Sequence, residues 1–384
     1  MRMRIIGLDL DFPYSQISIY SEQNREPETL SMSAQEQRFL IPVPEGLYRC
    51  VDNGLEKGTV MLTEFIRDAL SLVKPLPDPA MVCMMVTMKE MCRPWTEVIR
   101  LACEKLGIGQ VFLQSHRESF FSYTLHQKKE LWQHKVALFE YEDARIMSYV
   151  LEIDYGTRPA LVQVTPGRVL ELGAAGRRSS EDWDRRRDEK FLEMIREMFQ
   201  GESFSSVFLI GESFDKVWAA ESVRFLCKRR HVFQGRNLYT KGACYAACEK
   251  AGVQSMTADF LYQSEDMVEM NLSMQLKVRG RQKEHLLVSA GQNWYEAVHT
   301  CEILLDDEKE LLLYSKSMVD GATASYSIAL PDLPKRPPRT TRLEIKIAFR
   351  SADHCRITIR DLGFGEFFAS SGLVWESELE LSEG

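Results

Sequence analysis

"VALFEYEDARIMSYVLEI", residues 136–153, decides how most of this chain is read. Val136, Leu138 and Phe139 begin one apolar strand, and Val150, Leu151 and Ile153 close a second. Two such runs around a short polar joint predict a β-hairpin. Tight hairpin turns favour glycine and asparagine, because their central residues need positive φ. Here the joint is Glu142, Asp143, Ala144 and Arg145.

On its N-terminal side, residues 4–10 and 15–20 read as another hairpin, with "DFPYS" at the turn. Residues 59–75 place Leu62, Phe65, Ile66, Ala69, Leu70 and Val73 on one helical face, and Pro75 and Pro77 end it. "MVCMMVTM" (81–88) is a continuous apolar run and so a buried strand. A helix opens at Pro94 and ends at Gly107, the strand "QVFLQ" follows, and a second helix is expected over Glu118–Glu130. Beyond the opening hairpin, "EKFLEMIREMF" reads as an amphipathic helix and "SSVFLIGES" as a buried strand ending at Gly211. Two further helices follow, the second capped by Thr240. Alternating strands and helices predict an α/β architecture.

From about residue 268 the texture changes to eight short strand-like segments with turns between them, which predicts an all-β sandwich. "PDLPKRPPRT" (331–340) would break any strand ladder and reads as a loop. The expected division is 1–265 for the α/β domain and 266–384 for the sandwich.

The chain has 384 residues, 45% hydrophobic and 27% charged, with a net charge of −8. That charge argues against a nucleic-acid binder, whose footprint is basic. The basic clusters are local: Lys228–Arg229–Arg230–His231, Arg185–Arg186–Arg187, and Lys335–Arg336 with Arg339. Residues 177–190 mix both signs and read as a solvated loop entering a helix. No run approaches the roughly 20 apolar residues that span a bilayer, and the acidic C-terminus has no basic amphipathic helix for direct membrane binding. Nine scattered cysteines without a CxxC pair suit a reducing cytoplasm. Cys244 and Cys248 lie four apart on a helix but lack a second ligand pair, and they read as small buried residues rather than a metal site. The seven histidines show no ligand spacing and are assigned no chemistry.

Several segments, in order, resemble the nucleotide-binding domain of the actin–Hsp70–sugar kinase superfamily. "IIGLDLDFPYSQISIY" is similar to its first phosphate loop. "VTMKEMCRPWTEVIRLACEKLGIGQVFLQSHRESFFSYTLHQ" is similar to the stretch that follows the family's T-V-P strand. "VALFEYEDARIMSYVLEI" aligns without a gap to the second phosphate loop, V-L-V-F-D-L-G-G-G-T-F-D-V-S-V-L-E-I. "SSVFLIGESFDKVWAAESVRFL" resembles the adenosine segment, and "LYTKGACYAAC" the closing helix. "ASYSIALPDLPKRPPRTTRLEIKIAFRSADHCRITIRD" resembles the substrate-binding β-domain of Hsp70. The resemblance implies a two-lobed, ribonuclease H-like α/β domain followed by that sandwich.

In the family, tip glycines let backbone N–H groups touch the phosphates, and loop aspartates hold magnesium and water. Here the first loop keeps Gly7 and Asp9, but its tip is Asp11, Phe12 and Pro13, and proline has no N–H. In the second loop the aspartate is Glu140, and G-G-G-T has become Glu142, Asp143, Ala144 and Arg145. The adenosine segment keeps Gly211 and Ser213 but carries Glu212. Asp11, Glu142, Asp143 and Glu212 would bring carboxylates to the place of the phosphates. Two like charges 4 Å apart cost about 4 kcal/mol at an effective dielectric near 20. Arg145 and a cation offset part of this charge. Asp9 is read as a strand-end cap of nearby backbone, and Glu118 is assigned nothing, because the family's hinge glutamate aligns with Ser115.

The expectation is an Hsp70-like pseudo-ATPase, with no catalytic residues, no metal and no bound cofactor, acting as a protein- or peptide-binding scaffold. Two alternatives stand beside it: a divergent but active ATPase or chaperone using Mg·ATP, and a division- or pilus-type actin-like scaffold.

Overall fold

Residues 3–31, 40–142, 144–172, 181–211, 214, 218–306, 308–318 and 321–381 are described by the structure, a computed structural model. The chain divides into two units, Met1–Gln263 and Ser264–Gly384. The first unit begins with strands β1 (Arg4–Asp9), β2 (Tyr14–Ser21), β3 (Glu26–Thr29) and the short β4 (Ile41–Pro42). Helices α1 (Leu47–Asn53) and α2 (Leu55–Ser71) follow, then β5 (Val82–Met88), α3 (Arg93–Leu106) and β6 (Gln110–Ser115). The sheet order is β3-β2-β1-β5-β6, with β4 beside β2. β1, β2 and β3 are antiparallel neighbours, and β5 and β6 run parallel to β1.

Helix α4 (His116–Leu125) leads into the second sheet. Its members are β7 (Lys135–Glu142), β8 (Arg145–Asp154), β9 (Ala160–Glu171), then, after α5 (Glu181–Met198), β10 (Phe204–Ile210). Helix α6 (Ala220–Leu226), β11 (His231–Gly235), α7 (Leu238–Lys250) and β12 (Phe260–Gln263) complete the unit. The order is β11-β10-β7-β8-β9-β12. Three antiparallel strands followed by two parallel ones thus occur twice, which is the two-lobed plan the resemblance implied. Both central parallel strands, β5 and β10, are buried at every position, as strands covered on both faces must be.

Two glycines let α7 lie against the first lobe. A Cβ on Gly7 would stand 2.3 Å from the Thr240 carbonyl oxygen, and one on Gly242 would stand 2.0 Å from that of Ser119. Thr240 is therefore not the cap of α7, which starts after Asn237. Its hydroxyl lies inside, donating to the Gly7 carbonyl at 3.2 Å. On the same helix Cys244 and Cys248 are buried with Ile5, Cys83 and Met85. Burial raises the Cys244 thiol well above its ordinary value. Among the described residues no group of three His, Cys, Asp or Glu side chains is placed to hold a metal.

Other local expectations change in the folded chain. The helix expected over 118–130 spans Arg117 and its neighbours from His116 to Leu125, and Ser115 caps it, accepting from Glu118 N while Glu118 accepts from Ser115 N. Glu118 is thus a capping-box residue. The charged run at 185–187 is not wholly solvated. Arg187 is buried in α5, its guanidinium 4.6 Å from the centre of the Trp218 ring and bonded to Tyr141 Oη at 3.2 Å. Next to it, buried Asp188 accepts from the N–H groups of Glu221 and Ser222 at 2.8 and 2.9 Å, so α5 caps α6 from a distance. Strand β9 is hidden in the sequence by Pro166 and Gly167. They sit where its pairing with β8 slips between Met147 and Tyr149, and a bulge tolerates both residues.

The second unit has two four-stranded antiparallel sheets. One is β14 (Arg281–Val288), β13 (Met270–Val278), β16 (Glu310–Ser317) and β17 (Thr323–Ala329) in spatial order. The other is β15 (Val298–Leu305), β18 (Thr341–Phe349), β19 (His354–Gly363) and β20 (Val374–Glu380). β18 alternates, burying Leu343, Ile345, Ile347 and Phe349. The proline-rich loop 331–340 carries no strand. Its Arg336, a member of one of the local basic clusters, forks onto buried Asp361 with two 2.8 Å hydrogen bonds.

Candidate functional site

The two hairpins of the first unit face a cleft, and strand periodicity supplies its walls. Along β7, Phe139 and Tyr141 turn into the core under α5. Glu140 and Glu142 take the opposite face, because successive strand side chains alternate. Across from them β1 ends in Asp9. The Ser15 hydroxyl donates to the Asp9 carbonyl, and Asp11 accepts from the Phe12 N–H at 2.8 Å, which pins the tip. Phe12 meets Tyr48 edge-on at 5.5 Å, and Tyr48 lies 4.6 Å from Trp95.

The capping box at Ser115 fixes the start of α4 and so aims its first side chain, His116. The buried imidazole Nε2 lies 2.8 Å from Asp9 Oδ1, and the ring stacks on Tyr239 of α7 at 3.9 Å. Asp9 therefore holds His116 with its carboxylate, which replaces the backbone-capping role read from sequence. His116 was invisible to ligand-spacing arguments, because its partner is 107 positions away in sequence. Lys89, just past β5, pairs with Glu142. Burial, and then the nearby Glu140 carboxylate, raise the Tyr239 hydroxyl well above its ordinary value.

The electrostatics follow from this crowding. Burial raises the Glu140 carboxyl, opposed by His116 and Lys89 and reinforced by Glu142 and Asp11. Burial also raises Asp11, with Asp9 adding to the effect. For His116 burial pulls downward, but the Asp9 carboxylate outweighs it, and the imidazole is raised above its ordinary value. Lys89 is likewise raised: burial lowers it, and Glu142 more than reverses this. Burial and the nearby Asp11 and Asp9 raise the Tyr48 hydroxyl.

Of the residues read from sequence, the cleft gathers Asp9, Asp11, Glu140 and Glu142. Gly7 serves the packing of α7. Gly211, at φ 101°, ends β10 where a Cβ would be 2.3 Å from the Tyr141 carbonyl oxygen, so its glycine has a backbone reason. Arg145 is exposed, opposite Glu142 and Glu171 in the sheet. The charges of the cleft are offset by Lys89 and His116. Asp143, Glu212 and Ser213 lie outside the described residues. The glycine-free tip closes with Ala144 at φ 63°.

Comparisons with known proteins add the following. A polyphosphate/ATP-glucomannokinase from Arthrobacter sp. strain KM is 15% identical over 66% of this chain and 100% of its own, with a TM-score of 0.40. A ROK hexokinase from Thermus thermophilus is 12% identical over 66% of this chain and 100% of its own, with a TM-score of 0.39. A Bacteroides thetaiotaomicron protein with an actin-like ATPase fold and unknown function is 12% identical over 63% and 96%, with a TM-score of 0.32. No curated protein matches the chain. Residues 267–381 match a domain of unknown function, DUF8552. Residues 48–265, more than half of the sequence, match the C-terminal part of a family of unknown function, DUF5716, and the chain belongs to that family.

Proposed function

We propose that this protein is an actin/Hsp70-type scaffold that has given up conventional ATP hydrolysis and works by binding a protein or peptide partner. The observation that carries this reading is the set of side chains in the cleft. Asp11, and Glu142 paired with Lys89, stand where the resemblance expects bare backbone against a polyphosphate, and the retained Asp9 is engaged by His116. A nucleotide brings several negative charges of its own, and each close like-charge pair costs about 4 kcal/mol at an effective dielectric near 20. The tip residues Phe12 and Ala144 add side chains, and Pro13 removes a donor. Partner binding is supported by the edges of the second unit. β14 is exposed over its first six residues, and an exposed edge can accept an extended peptide as an added strand. Nine free thiols suit a reducing compartment. Among the described residues no helix is long and apolar enough to cross a membrane.

Isothermal titration with Mg·ATP, combined with a phosphate-release assay, tests the reading. The expected result is no saturable heat and no turnover. Micromolar binding, or phosphate release above the buffer rate, sinks it.

A further inference from the structure

The second unit has a strand edge that is both open and positively charged. β13 and β14 meet in a tight turn, Arg279–Gly280, whose φ values of 52° and 81° are those of a two-residue hairpin loop. β13 pairs with β16 only from Met270 to Met274, so beyond Met274 the hairpin is a two-stranded ribbon. Every residue from Lys277 to Leu286 is exposed. Lys277, Arg279, Arg281 and Lys283 stand on this ribbon, and among the described residues none of the four makes an ion pair. Its one acid, Glu284, is held by the Ser273 hydroxyl at 2.7 Å. The ribbon is thus positive on a chain whose net charge is −8. β14 has no second neighbour in its sheet. Val278 and Arg281 close the hairpin as a hydrogen-bonded pair. Antiparallel alternation then turns the N–H and C=O groups of Gln282 and Glu284 away from β13, toward the open edge. Arg281 and Lys283 share one face of the strand, and Val278, paired with Arg281 and 48% exposed, adds an apolar spot to it.

We propose that this edge takes an extended acidic peptide of a protein partner, added as a strand beside β14, with carboxylates at alternate positions facing Arg281 and Lys283. The inference rests on the scaffold reading and deepens it by naming the partner's chemistry. Gln282 and Glu284 present main-chain donors and acceptors, which another polypeptide backbone meets in register. A nucleic acid or a lipid surface would answer the charge and leave those groups unpaired. Opposite charges across a ladder attract and like charges repel, so two copies of β14 do not pair with each other. The acidic edge of the same unit, β20, carries Glu376, Glu378 and Glu380. There Glu378 is already engaged by Arg350 at 2.8 Å and Arg356 at 3.4 Å, and Glu380 lies 4.0 Å from His354. A second copy therefore has less free acid to bring to β14 than a partner's acidic strand.

Fluorescence anisotropy on the full chain tests this with three labelled peptides. The first alternates glutamate and valine, the second has glutamine for each glutamate, and the third has the residues of the first in two blocks. Saturable binding of the alternating acidic peptide, at least tenfold tighter than of either other, is expected. The double variant Arg281→Glu with Lys283→Glu should weaken it at least tenfold. Gln282→Pro, which removes one outward N–H and leaves the pairing with β13, should weaken it as well. No binding, equal binding of the glutamine peptide, or full affinity in either variant overturns the proposal. Should a variant fail to fold, the comparison of glutamate with glutamine peptide on the native protein decides. Tighter binding of a DNA duplex or of phosphatidylserine vesicles than of the peptide also overturns it. So does self-association that the double variant abolishes, which assigns the edge to a second copy. A parallel Mg·ATP titration separates the two readings. Nucleotide turnover sinks the scaffold reading, whereas silence toward nucleotide without selectivity for the acidic peptide sinks this inference alone.

Discussion

In the second unit, Asp361 meets Arg336 through two 2.8 Å hydrogen bonds and also accepts from Gly363 N, Ser371 N and Ser371 Oγ. Arg336 spends a further N–H on the Ala369 carbonyl at 2.8 Å. In the cleft of the first unit, by contrast, Asp9, Asp11, Glu140 and Glu142 share His116 and Lys89, and His116 Nδ1 has no partner. The first cluster has one charge of each sign, and both carboxylate oxygens of Asp361 are engaged. The second has an excess of one sign and an orphaned nitrogen. A buried pair with matched charges and a forked hydrogen bond holds loops together. A buried group with charge left over is suited to meet something from outside.

Breaking the closed cluster should have the largest effect. Arg336→Ala leaves the Asp361 carboxylate buried without its partner, and such a loss costs about 3–5 kcal/mol. Urea unfolding measures it, and the double change Arg336→Met with Asp361→Leu should recover most of the loss. A cost below a tenth of that would mean the pair is ornamental. Next comes the seam that positions the cleft. Gly242→Ala drives a Cβ to 2.0 Å from the Ser119 carbonyl oxygen, and overpacking of this kind costs about 1–3 kcal/mol. Thermal melting of this variant, with the exposed Gly235→Ala as control, separates crowding from chain stiffening.

The two clusters should also respond to pH with opposite sign. His116 holds its proton more tightly folded than unfolded. Its contribution is therefore complete below the ordinary value of 6.5 and is lost as the pH rises through the raised folded value. Asp361 is held well below its ordinary 3.8 by Arg336 first, against the opposing effect of burial, with Ser371 and Gly363 assisting. Its contribution is complete above that value and is lost as the pH falls through the lower folded one. Denaturation curves across pH should thus show an alkaline decline that His116→Gln flattens and an acid decline that Asp361→Asn flattens. The reverse assignment would refute the comparison. The smallest effect is expected at the hairpin tip. Ala144 sits at φ 63°, a region that glycine enters without the Cβ penalty. Ala144→Gly should therefore stabilise the native state by about 0.5–1 kcal/mol, net of the backbone entropy glycine adds. A loss of stability would show that the tip is not strained.

Patterns confined to neighbouring residues were readable. The eight segments after residue 268 became β13 to β20, because alternation along a strand is local information. The face of α2 was legible for the same reason: Leu62, Phe65, Ile66, Ala69 and Leu70 recur at helical spacing and are buried. Local contradictions concealed the rest. Pro166 and Gly167 masked β9, and the like-charged Arg185–Arg186–Arg187 run concealed that Arg187 turns inward onto Trp218. In the cleft the acidic tips could be listed from sequence, but their compensation could not. The Asp9–His116 contact joins residues 107 apart and the Lys89–Glu142 contact residues 53 apart.

The sequence by itself determined the two hairpins, the buried strands β5 and β10, the eight strands of the second unit and the absence of glycine from both hairpin tips, because periodicity and turn chemistry act over a few neighbouring residues. Tertiary structure alone decided which charges meet. Bringing α4, α7 and two separate sheets to one cleft sets the distance between Asp9, His116, Glu140 and Tyr239. Coulomb and hydrogen-bond energies depend on that distance and not on separation along the chain.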